Sequence, residues 1–95
     1  MVKAIWTDLA IGDLKSIHKH IARDSKFYSD RFINKIITQV NQLETLPNFG
    51  RIIPEFASDK IRELIEGDYR IVYRVHTDHV GMVPVHNSAE PLRGV

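Results

Sequence analysis

The stretch Lys60-Ile61-Arg62-Glu63-Leu64-Ile65-Glu66-Gly67-Asp68-Tyr69-Arg70-Ile71-Val72-Tyr73-Arg74-Val75 decides the fold. Two runs rich in β-branched and aromatic residues flank Glu66-Gly67-Asp68, whose glycine and acids mark a tight turn, so the pattern predicts a hairpin. In the second run Tyr69, Ile71, Tyr73 and Val75 share one face and Arg70, Val72 and Arg74 the other, because side chains alternate along a strand. His76-Thr77-Asp78 offers another tight connection, and His79 to Val85 returns as a final strand. Pro84 has no amide hydrogen to give a sheet, which calls for an edge position or a bulge.

Upstream, Val2, Ala4 and Trp6 alternate with Lys3 and Ile5 and predict a short first strand. Thr7 and Asp8 offer N-cap chemistry for a helix on which Leu14, Ile17 and Ile21 recur at helical spacing. Gly12 inside that helix costs about 1 kcal/mol relative to alanine, so a packing reason is expected there. After Arg23-Asp24-Ser25 a stronger helix runs from about Phe27 to Leu46. Its apolar stripe is Phe32, Ile33, Ile36, Ile37, Val40, Leu43 and Leu46. Pro47-Asn48-Phe49-Gly50 stops it. A short link between helices implies an antiparallel hairpin, and neither stripe can be buried without a sheet beneath it. The expected order is β-α-α-β-β-β: an α+β domain spanning 1–95, with a helical hairpin on one face of an antiparallel sheet and the other face open.

At 95 residues the chain has room for one small core, and 43% hydrophobic with 26% charged residues is ordinary for a globular protein. The absence of cysteine rules out disulfides, a thiolate metal site and a cysteine nucleophile, and suits a reducing cytoplasm. No apolar run is long enough to span a bilayer, and Met1 to Trp6 lacks the pattern of a signal peptide. A cytoplasmic protein with no membrane partner is expected. The net charge of +1 exerts no strong overall pull toward nucleic acid.

Standard catalytic motifs are missing. His18 and His20 lie two apart on a helix and face different directions, His76 and His79 flank a turn, and no HExxH spacing occurs. These histidines read as solvated surface, so no metal ion or cofactor is expected; His86, closing the last strand, is the one better placed for a site. Ser16, Ser25, Ser29, Ser58 and Ser88 lack a nucleophile elbow, and Glu63 and Glu66 read as sheet and turn residues. The arginines differ. Arg51, Arg62, Arg70 and Arg74 cluster in the second half, and Arg70 and Arg74 share a face. Guanidinium forks suit phosphate or carboxylate. Cross-strand pairing with Glu63, Glu66 or Asp68 would neutralise the same surface, and both readings stand. Whether Arg62 joins that face depends on the register across Gly67.

Gly50-Arg51-Ile52-Ile53-Pro54-Glu55, Ile61-Arg62-Glu63-Leu64, Tyr69-Arg70-Ile71-Val72-Tyr73-Arg74-Val75 and Val85-His86, in that order, resemble the RelE/ParE toxin superfamily. So do Ala10, Asp13-Leu14, Ile17 and His20-Ile21-Ala22 in the first helix. The resemblance runs from Trp6 to Val85 and implies the toxin of a type II toxin–antitoxin module. Its partner would be a cognate antitoxin that folds as it wraps the toxin, in a hetero-oligomer. Two activities are implied. ParE-like members poison DNA gyrase without catalysis of their own; RelE-like and YoeB-like members cut messenger RNA on the ribosome. For cleavage, the resemblance offers Glu55 as base, Arg62, Arg70 and Arg74 as phosphate clamps and His86 at the strand end, while the RelE lysine cluster is reduced to Lys60. The incomplete acid–base set and the long paired helices tilt the expectation toward a ParE-like gyrase inhibitor with a toxin surface centred on Arg62, Arg70, Arg74 and His86. An inactive relative that only binds antitoxin is the third reading.

Overall fold

The computed structural model describes residues 1–87. In chain order the elements are β1 (Lys3–Trp6), α1 (Asp8–Ala22), α2 (Lys26–Gln42), β2 (Arg51–Ile52), β3 (Ile61–Glu66), β4 (Tyr69–Val75) and β5 (His79–Asn87). The strands form a five-stranded sheet in the order β1-β5-β4-β3-β2. The α+β class and the helical hairpin packed on a sheet are as expected. Two features go beyond the expected antiparallel arrangement. The first strand inserts parallel to β5, pairing Lys3 with His79 and Trp6 with Met82. Arg51 and Ile52 form an edge strand against Glu63 and Arg62.

Local chemistry accounts for the helix starts. Thr7 caps α1 by accepting the Ala10 amide at 3.1 Å, and its hydroxyl donates to the Met82 carbonyl at 2.8 Å. Ser25 caps α2 by accepting the Tyr28 amide at 3.1 Å. The second helix ends at Gln42, short of Leu46, which is exposed. Ala10 and Ile17 of α1, with Phe32, Ile36 and Val40 of α2 and Leu43 at its cap, bury against Leu64, Ile71, Tyr73, Val80, Met82 and Val85. Ser29 sits fully buried where the helices touch, its hydroxyl donating to the His18 carbonyl at 2.7 Å. Gly12 faces open space: a Cβ there would meet nothing within 4 Å, so packing does not explain it.

Gly67 opens a two-residue loop with φ of 56°, a conformation glycine reaches without strain, and Glu66 pairs with Tyr69 across it. Between Ile71↔Val85 and Tyr73↔Met82 the register slips, so Val83 and Pro84 stand opposite Val72 alone. This bulge is the irregularity that Pro84 requires, and it lies in an interior strand. The Asp13 carboxylate accepts the Val85 amide beside it at 3.0 Å, tying α1 to the slipped strand.

The face away from the helices is only partly open. Ile53, Ile61 and Val72 form a small second core there, with Phe56 packed against it. The segment after β2 folds back over the sheet because Ile61 and Val72 would otherwise expose apolar surface beside charged neighbours.

Candidate functional site

Register decides which arginines meet. Glu63 pairs across the sheet with Val72 on one side and Arg51 on the other, and Ile65 pairs with Arg70. Arg51, Glu63, Arg70, Val72 and Arg74 therefore share the face away from the helices. Arg62 pairs with Tyr73 and belongs to the helix-side face. This removes Arg62 from the surface expected to centre on it. Its guanidinium instead braces neighbouring loops, donating to the carbonyls of Asp59 (3.0 Å), Asn48 (3.1 Å) and Gly50 (3.0 Å).

The centre of the shared face is a carboxylate. Glu63 is 1% exposed and accepts the Nε–H of Arg51 at 2.6 Å on Oε2 and that of Arg70 at 2.5 Å on Oε1. Burial alone pushes its carboxyl up, but the hydrogen bonds and charges of Arg70 and then Arg51 outweigh this and hold it below the usual glutamate value. Of the expected acidic partners, Glu63 takes two of the arginines; Glu66 instead pairs with Lys35 at 3.3 Å and accepts a hydrogen bond from Gln39. The Arg70 side chain is 14% exposed and that of Arg51 66%. Arg74, paired in register with Gly81 and Ile61, is exposed. His86 stands opposite Arg70 in the β4–β5 register, its side chain lying outside the described residues.

Glu55 is exposed in the turn after β2 and makes no ion pair among the described residues, so the structure does not join it to the arginines. The other histidines keep to local partners. His18 meets Asp30 at 2.6 Å, while His76 and His79 stack at 4.2 Å between ring centroids, with Asp78 on His79. Among the described residues no group of three or more His, Cys, Asp and Glu is arranged to hold a metal ion. A cleft lined by Phe27, Tyr28, Arg31, Phe32 and Lys35 lies along α2 and reaches the Gly67 turn; none of Arg51, Arg62, Arg70 and Arg74 lines it.

One residue escaped the sequence reading. Tyr73 is fully buried; its hydroxyl donates to the Pro47 carbonyl at 2.9 Å and accepts the Gly50 amide at 2.8 Å. This latch fixes the chain immediately before Arg51. A Cβ on Gly50 would stand 2.6 Å from that hydroxyl and 2.7 Å from the Glu63 carbonyl, so only glycine fits the approach.

A helical hairpin on a five-stranded sheet, with an arginine-bearing outer face, defines a small α+β domain, the architecture that the resemblance to RelE/ParE toxins implies. Residues 4–87 match the model of the ParE toxin of type II toxin–antitoxin systems, parDE, and the chain belongs to that family. Its backbone is similar to a solved structure described as the chromosomal ParDE toxin–antitoxin system from P. aeruginosa. The TM-score is 0.74 at 21% identity, covering 92% of this chain and 96% of the other. No curated protein sequence matches the chain. Among the described residues no helix is long and apolar enough to cross a membrane.

Proposed function

We propose that this chain is a growth-arresting toxin held in check by a cognate antitoxin in a hetero-oligomer, and that its target is DNA gyrase in the cytoplasm. Membership of the ParE family supports the module and the target class. The observation that carries inhibition by binding over RNA cleavage is the state of Glu63. Among the described residues Glu63 is the carboxylate buried among the arginines; two Nε–H donors hold it ionised, and a carboxylate stabilised in that form is a weak proton acceptor. Glu55, the base expected for a nuclease, stands apart in an exposed turn. The outer face carrying Arg51, Arg70 and Arg74 is the surface that meets the target, with His86 in register beside Arg70.

The test is a pair of assays on the purified protein. Loss of supercoiling by gyrase, with messenger RNA intact in a translating ribosome system, is the expected result. Ribosome-dependent cleavage of messenger RNA with gyrase unaffected would replace this reading by the RelE-like one. Activity in neither assay, with antitoxin binding retained, would leave an antitoxin-binding relative.

A further inference from the structure

Glu63 engages each neighbouring arginine through Nε alone. Arginine carries five N–H donors, and Nε accounts for one of them. Among the described residues neither Arg51 nor Arg70 places a terminal Nη on any acceptor, so both end-on forks remain unused. A single carboxylate at the sheet surface thus holds two guanidinium groups by their inner edges and neutralises half of their charge. Two forked donors fixed in place, beside the exposed Arg74, match the geometry of a phosphate oxyanion better than mobile point charges do. Arg70 and Arg74 lie four residues apart on one strand, about 13 Å along it, a span that reaches phosphates about two steps apart on one chain and exceeds what one isolated acid can bridge.

We propose that Glu63 is a positioning residue that preorganises Arg51 and Arg70 as a receptor for a backbone phosphate of nucleic acid, with Arg74 taking a phosphate farther along the strand. This rests on the same outer face being the target surface, and gives that face a ligand class. Glu63 itself touches no ligand. It acts by holding the arginines' rotamers, which lowers the ordering cost that free arginine side chains would incur on binding.

The sign of one substitution separates positioning from simple charge. Glu63→Gln removes a negative charge from a cationic face. If the arginines attract phosphate only as charges, that variant binds nucleic acid more tightly. If Glu63 positions them, it binds more weakly despite the gained charge. The measurement is fluorescence anisotropy of a labelled DNA oligonucleotide with the full chain, across a salt series. Thermal melts confirm that each variant is folded. We expect about tenfold weaker binding for Glu63→Gln, since each fork loses its charge-assisted anchor. Arg51→Lys, at the exposed rim and with charge kept, should also weaken binding in a variant that the melts show to be folded. Unchanged or tighter binding in both variants would overturn the proposal. So would a polyglutamate peptide showing this Glu63 dependence while DNA does not. Gyrase assays on the same wild-type preparation keep the two readings apart: failure to inhibit gyrase with intact, Glu63-dependent DNA binding sinks the target and leaves the receptor standing.

Discussion

The backbone amide of Gly50 donates to the buried hydroxyl of Tyr73 at 2.8 Å, joining residues 23 positions apart and setting where β2 begins. The same hydroxyl donates to Pro47, so one side chain closes both ends of the turn that leaves α2. Burial raises the Tyr73 hydroxyl pKa, partly offset by the Gly50 amide, so it stays a neutral donor throughout the physiological range.

Tyr73→Phe strands the Gly50 amide and the Pro47 carbonyl, and is expected to cost about 1–3 kcal/mol in denaturant unfolding. Gly50→Ala should cost about as much through overpacking. The double variant should not recover stability, because the Glu63 carbonyl still crowds the new methyl at 2.7 Å. Recovery would show that the hydroxyl alone makes the approach tight.

Arg70→Ala, a natural probe of the outer face, removes one of the two donors on a buried carboxylate. It should destabilise by about 3 kcal/mol. Arg74→Ala, exposed and without an ion pair among the described residues, should change stability by less than about 0.5 kcal/mol. Chemical melts decide this, and make Arg74→Ala the cleaner probe of the target surface. Equal melts for the two variants would deny the Glu63–Arg70 pair its structural weight.

Glu63 also predicts an acid limb. Its folded pKa lies below the ordinary value of 4.5, so its unfolded form binds protons first. Its contribution is fully present above pH 4.5 and is lost as pH falls below that value through the lower folded pKa. Unfolding free energy measured from pH 6 downward should therefore fall in the wild type. In Glu63→Gln, less stable at neutral pH, that fall should be shallower. Parallel curves would assign the acid limb to other carboxylates.

Gly12→Ala should raise stability by about 1 kcal/mol, visible as a higher melting temperature, because the position is helical and open. A loss of stability would mean that the glycine is needed for a contact made only with a partner.

Much of the architecture was legible along the chain because its signals are local. Thr7 and Ser25 cap helices through residues three positions away, Gly67 turns a hairpin within two residues, and the period of two around Ile71 and Tyr73 marks the inward face. Pro84, through its missing amide hydrogen, called for an edge position or a bulge, and the structure has the bulge. The surface was not legible to the same degree. Arg62 and Arg70 look equivalent as strand arginines, yet the pairing of Glu66 with Tyr69 places them on opposite faces, since an offset of one residue reverses every side chain. The choice of Glu63 over Glu66 as the arginines' partner follows from that register and from β2 on its far side. The parallel seat of β1 beside β5 and the folding of Ile53 over Val72 are likewise contacts between distant segments. By itself the sequence determined both helices, strands β1, β3, β4 and β5, their order and the inward face of β4, through backbone preferences that act over a few residues. Only the tertiary structure decided which arginines share the Glu63 carboxylate, because that depends on long-range strand register.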